Sequence, residues 1–188
     1  MSNNRKNAIE NLIEFIRSDE KVVLIKGTHQ YEKHSLVMQL LDESDLNVGV
    51  FRSNSLQNIS TFLGHAGYKV PLNKRFSSGK GYRTGTTTFY FDSLFTKSTW
   101  SKSPTQMDFA LVYPMDSFCE QNQKTKDEFL YDILTRKSIK KIFIVTWTDI
   151  RHGYDWLTEY VDRTIIYDAE EEDPAYHQRV LENATRRY

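Results

Sequence analysis

The chain has 188 residues, enough for one domain with a full core and too few for two of ordinary size. Apolar residues make up 39% and charged residues 27%, which excludes a disordered chain; 25 basic side chains balance 25 acidic ones, so no overall charge directs it to nucleic acid or a membrane. The single cysteine, Cys119, rules out an internal disulfide, no apolar run approaches the ~18 residues of a membrane span, and Met1 to Lys6 lack the apolar core of a signal peptide, so the expectation is a cytoplasmic protein without a membrane partner.

Residues 4–17 place Ile9, Leu12, Ile13 and Ile16 on one face and Arg5, Lys6, Glu10, Glu14 and Arg17 on the others, which predicts an amphipathic N-terminal helix. Val22 to Ile25 is a β-branched apolar run that stops at Gly27. A polar loop follows, and Leu36, Val37, Leu40 and Leu41 then resume at helical spacing, so the stretch predicts strand, loop, helix. Asn47 to Arg52 reads as a second strand and Leu56 to Leu63 as a helix. A strand–helix–strand unit of this kind favours parallel pairing through a right-handed crossover.

Between residues 69 and 102 the basic residues Lys69, Lys74, Arg75, Lys80, Arg83, Lys97 and Lys102 face one acid, Asp92, with aromatic residues interleaved. One reading is a single-stranded nucleic-acid surface carried by Lys74, Arg75, Lys80 and Arg83, because bases stack on rings while cations track phosphates. The other is a mobile basic-aromatic insertion, with a loop at Ser77 to Gly81, followed by a buried run from Thr87 to Phe95 whose rings belong to the core.

Asp108 to Tyr113 predicts a buried strand before Pro114-Met115-Asp116, Lys124 to Arg136 a helix, and Lys141 to Thr146 the strongest strand, tipped by Trp147-Thr148-Asp149. Trp156 to Val161 fits a short helix and Arg163 to Tyr167 a last strand. The acidic run Asp168, Glu170, Glu171, Glu172, Asp173 precedes Pro174, which opens a polar C-terminal helix. The order predicts a single α/β domain over 1–188, with a mostly parallel sheet of about five strands and helices on both faces. Ligands of such sheets bind beyond the carboxyl ends of the strands, here the 27–35 loop, Asp116 and 146–149.

The loop resembles the phosphate-binding loop of the P-loop NTPase superfamily, G-x-x-x-x-G-K-[ST]: Gly27 matches the first glycine and Lys33 the lysine six positions on. Glu32 replaces the second glycine, and His34 replaces the hydroxyl that holds magnesium, with Ser35 one place late. The layout resembles an AAA-type or related ATPase core preceded by its N-terminal helix. The resemblance implies ATP, with magnesium, held by Gly27, Thr28, His29, Gln30, Tyr31, Glu32, Lys33, His34 and Ser35. It further implies Asp116 as the carboxylate assisting magnesium and water, Thr146, Thr148 or Asp149 as sensor of the terminal phosphate, and Arg151 as an arginine finger. The departures at Glu32 and His34 imply weak or lost hydrolysis, hence a weak ATPase at most. The alternative is a non-catalytic interaction module on a decayed phosphate loop, binding nucleic acid or a protein partner through 69–102. His29 and His34 belong to no cluster with metal-ligand spacing, and Cys119 has no visible base partner.

Overall fold

The computed structural model describes residues 1–71, 73–148 and 152–185. In chain order its elements are α1 (Asn3–Arg17), β1 (Val22–Lys26), α2 (Glu32–Asp42), β2 (Val48–Ser53), α3 (Ile59–His65), β3 (Tyr82–Thr84), β4 (Thr87–Ser93), β5 (Gln106–Val112), α4 (Gln123–Tyr131), β6 (Ser138–Val145), β7 (Arg163–Ile166) and α5 (Pro174–Thr185). The strands form one seven-stranded sheet in the order β3-β4-β2-β5-β6-β1-β7. Every neighbouring pair is parallel except β3 and β4.

Two expectations are corrected here. The sheet has seven strands, not about five, because the segment after residue 69 contributes an antiparallel hairpin. In β4 the consecutive rings Phe89-Tyr90-Phe91 mask the alternation that sends Phe89 and Phe91 to the core, and β3 is three residues long, too short to show a period. The second correction concerns β1 and β2, which are parallel members of one sheet but not neighbours: β5 and β6 lie between them.

Alternation along the central strands fixes the layers. Val23 and Ile25 of β1 face α1, α2 and α3 within one apolar cluster, which includes Phe15, Leu41 and Leu63; Val22 and Leu24 face the other cluster, with Trp100, Phe118, Phe129 and Leu157. Both faces are therefore covered, as a parallel sheet requires. Carboxylates clamp the starts of strands: Asp162 accepts from the N–H groups of Lys21 and Val22 at 2.7 and 2.8 Å, and Asp108 from those of Asn47 and Val48 at 3.0 and 3.1 Å.

The helix expected over 124–136 is regular only to Tyr131, and Asp132–Arg136 forms a π turn. Phe129, Leu130, Asp132 and Ile133 are all buried, more inward positions in five residues than a period of 3.6 supplies. The widened turn accommodates them. The helix expected at 156–161 is a single 3₁₀ turn, Asp155–Leu157, and that at 56–63 divides into a 3₁₀ turn, Leu56–Asn58, and α3. Among the described residues no helix is long and apolar enough to cross a membrane.

Candidate phosphate-loop site

β1 ends at Gly27, whose φ of 120° is a conformation that side-chain-bearing residues rarely adopt. The loop then turns into α2 at Glu32. Lys33, fully buried in the first turn of α2, donates from Nζ to the Gly27 carbonyl at 2.5 Å and to the Trp147 carbonyl at 2.8 Å. One ammonium thus ties the tips of β1 and β6 together. Gly27 and Lys33 are brought together at the end of β1, with the Lys33 ammonium on two main-chain oxygens in this conformation.

The loop amides have partners from the far end of the chain. The Thr28 N–H donates to the Asp168 carboxylate at 2.9 Å, the His29 N–H to the Tyr167 carbonyl at 3.4 Å, and the Gln30 N–H to the Tyr176 hydroxyl at 3.3 Å. The Thr28 hydroxyl accepts from the Ala169 N–H at 3.0 Å and lies 2.7 Å from His177 Nδ1. The Gln30 side chain accepts from the Tyr176 hydroxyl at 2.9 Å, and the His29 imidazole pairs with Glu172. Glu171 accepts from the Asn3 and Asn4 N–H groups at the start of α1. The acidic run thus places Glu171 at the positive end of α1, where electrostatics favours it, and Asp168 on a loop amide. Asp168, Glu172, Tyr176 and His177 are the site residues that sequence reasoning missed. For Asp168 and Glu172 the signal was the acidic run itself; Tyr176 and His177, in the polar helix after it, carried none.

Glu32 turns away from the loop and is neutralised by Arg5 at 3.3 Å. Tyr31 is exposed and packs against His65 at 4.7 Å between ring centroids. Ser35 donates its hydroxyl to the Tyr31 carbonyl at 2.6 Å. His34 is fully buried, stacked on Tyr113 with centroids 4.0 Å apart. Neither of its nitrogens has a hydrogen-bond partner of ordinary geometry among the described residues. Burial first, then the charges of His65 and Lys33, push its pKa down to about 3, with only partial relief from the Phe62 main chain.

That depression sets a pH dependence. The folded state keeps His34 neutral down to about 3 while the unfolded chain takes up the proton near 6.5, so this contribution is complete above pH 6.5 and is lost as pH falls from 6.5 toward 3. The slope approaches about 1.4 kcal/mol per pH unit within that window. Urea midpoints at neutral pH and at pH near 5 should therefore show a larger acid loss for the wild type than for His34→Phe. Equal losses in the two proteins would remove His34 as the cause.

Asp116 opens the turn after β5 and is buried. Its carboxylate accepts from the Trp147 and Thr148 N–H groups at 2.9 Å each, from the Thr148 hydroxyl at 3.4 Å, and from the Tyr154 hydroxyl. It clamps the tip of β6 as Asp108 and Asp162 clamp strand starts. Thr146 is buried, with its N–H on the Ile25 carbonyl at 3.0 Å. Asp149 and Arg151 lie outside the described residues. Among the described residues the set does not fit a magnesium ion: His34 is sealed under Tyr113, the Ser35 hydroxyl is turned back to Tyr31, and the Asp116 carboxylate already accepts from several donors. Among the described residues no group of three or more His, Cys, Asp or Glu is placed to hold a metal.

Beside the loop a cleft of about 460 Å³ opens at the carboxyl ends of the central strands, lined by Gln30, Asn54, Asp116, Trp147 and Thr148, and by Val180 and Asn183 of α5. Trp147 is 43% exposed there, so an aromatic surface faces the cleft.

The basic segment is elsewhere, at the β3 edge of the sheet. Arg75, Lys80 and Arg83 are exposed, while the Lys74 ammonium lies 5.8 Å from the Phe76 ring centroid. Phe76 itself is buried against Tyr82 and Phe91 at 5.0 and 4.6 Å. Phe76, Phe89, Phe91 and Trp100 of the segment thus belong to the core, whereas Tyr82 and Tyr90 are half-buried and Phe95 is exposed. Cys119 is buried, and burial raises its thiol pKa.

Strand order and connections define an α/β protein with a mostly parallel sheet and a strand-to-helix turn at the end of the interior strand β1. The fold is similar to that of the large terminase from a thermophilic bacteriophage, with a TM-score of 0.55 and 13% identity over all of this chain and 50% of that one. This chain therefore corresponds to half of the terminase's length. No protein-family model matches the sequence, nor does any curated protein.

Proposed function

We propose that the chain is a P-loop-like protein that binds a nucleotide, ATP in the first instance, with hydrolysis weak or lost. The observation that carries the reading is the Thr28 amide, which holds a carboxylate at 2.9 Å beside a strand-end cleft. A carboxylate oxygen and a phosphate oxygen make the same demand on an N–H donor at a helix entry, so the loop retains anion-accepting chemistry. The fold likeness supports the scaffold. The misfit with magnesium supports the loss of turnover, since phosphoryl transfer depends on a metal bridging the phosphates and an oriented water.

A second reading is favoured by the internal pairing of the loop: a non-catalytic interaction module in which the phosphate loop has become structural. Calorimetry with ATP, with and without magnesium, separates the two. Binding that persists when magnesium is chelated, with no phosphate release over hours, is the expected result. At 100 times its Kd such a ligand would stabilise the fold by about 2.7 kcal/mol, visible as a thermal shift. Magnesium-dependent turnover would contradict the loss of hydrolysis, and absence of binding would leave the interaction module.

A further inference from the structure

We propose that the segment 168–184 is a tethered plug that competes with a nucleotide's phosphates for the Thr28–Gln30 loop; this rests on the nucleotide reading above. The plug takes two of the loop amides that a phosphate could use, those of Thr28 and Gln30. Asp168 takes the Thr28 amide, the Tyr176 hydroxyl takes the Gln30 amide, and Glu172 takes the His29 ring. Val180 and Asn183 of α5 then form one wall of the cleft beside the loop, so the same segment occupies both the anion position and the space next to it.

How the helix is held suits it to be a moving part. Among the described side chains of α5, Val180 alone is buried. Its hold on the loop is mainly polar, through Tyr176 on Gln30 and His177 on Thr28, with a Tyr176–His29 ring contact at 6.3 Å between centroids. With one buried side chain among those described, α5 opens at lower cost than α2, which buries most of its length. The tether also works in its favour, because a covalently linked anion competes at an effective concentration on the order of millimolar. Apparent affinity for a free nucleotide falls by the fraction of molecules in which the loop is open.

The test uses the full chain, ATP as probe, and two substitutions of different severity, Asp168→Ala and Tyr176→Phe. Removing a charged acceptor from a loop amide should lower the Kd for ATP about tenfold in Asp168→Ala, and by a smaller factor in Tyr176→Phe, where only a hydroxyl is lost. An independent reading comes from the wild type alone: saturating ATP should speed tryptic cleavage after Arg179 several-fold by releasing α5. Equal ATP affinity in all three proteins, with cleavage at Arg179 unchanged by ATP, would overturn the plug and leave nucleotide binding intact. No ATP binding in any of the three would overturn the nucleotide reading, and the plug with it.

Discussion

Replacing Arg52 by leucine should cost about 3–5 kcal/mol of folding stability, the loss expected when one partner of a buried ion pair is removed. Arg52 is fully buried on β2 and donates from Nε and Nη2 to both oxygens of Asp92, at 2.8 and 3.0 Å, and from Nη2 to Asp132 at 2.7 Å. Its guanidinium lies 4.5 Å from the Trp100 ring centroid. Burial works against the charge, but Asp92 and then Asp132 more than restore it, so its pKa stands above the ordinary arginine value. Without Arg52 two carboxylates remain inside one cluster. Asp132 retains Arg136, whereas Asp92 is left with the neutral Ser103 hydroxyl, at 3.1 Å. Urea denaturation of Arg52→Leu and of the triple variant Arg52→Leu/Asp92→Leu/Asp132→Asn should show the triple variant recovering part of the loss, because it removes the uncompensated charges as well. A loss below about 1 kcal/mol in the single variant would mean that the cluster is far better hydrated than its burial indicates.

The same cluster shows where sequence reading stops. Arg52 stands in the sequence only as the last residue of an expected strand, Asn47 to Arg52. Nothing local indicates that Asp92, 40 residues on, and Asp132, 80 on, converge on it. Those partners come from strand order, which puts β4 beside β2 and the end of α4 against them. Strand order was the least legible part of the fold, since the β1–α2–β2 unit gives the hand of a crossover but not how many strands it passes over. By contrast, the central strands were legible, because Val22 to Ile25 and Ile142 to Val145 are unbroken apolar runs that only a sheet covered on both faces can bury.

At the loop, the spacing of Gly27 and Lys33 was legible, and the occupant of the loop was not. Glu32 stands where a phosphate loop has its second glycine, yet it points to Arg5; the acidic run stands before a polar helix, yet it reaches the amides of Thr28 and α1. Charge signs alone do not say which pairs form when the partners lie 140 residues apart. Asp116 illustrates the same limit. A carboxylate after a buried strand suits metal chemistry and main-chain clamping equally well in sequence, and the donors from Trp147, Thr148 and Tyr154 identify the second use in this conformation.

Gly27→Ala should be the most damaging single methyl group that can be added to the chain near the site. A Cβ at this position would lie 2.3 Å from the Tyr167 carbonyl oxygen and 2.5 Å from its carbon, and φ of 120° would strain any side-chain-bearing residue. The neighbouring atoms are main chain, held by the Tyr167 N–H on the Lys26 carbonyl at 2.8 Å, so they cannot swing aside as a side-chain end would. Strain of this backbone class costs about 1–3 kcal/mol, and the overlap adds a term of similar size, giving an expected loss of about 3 kcal/mol or more. Gly64, inside α3, is the matched control: nothing lies within 4 Å of a Cβ there, and Gly64→Ala should stabilise by up to about 1 kcal/mol through helix propensity. The contrast bears on function, because the glycine that resembles the first residue of a phosphate loop is required here by its approach to the end of β7. Urea unfolding without nucleotide should therefore already show the Gly27→Ala loss. A Gly27→Ala protein as stable as the wild type would mean that the loop and the Tyr167 main chain stand apart in solution.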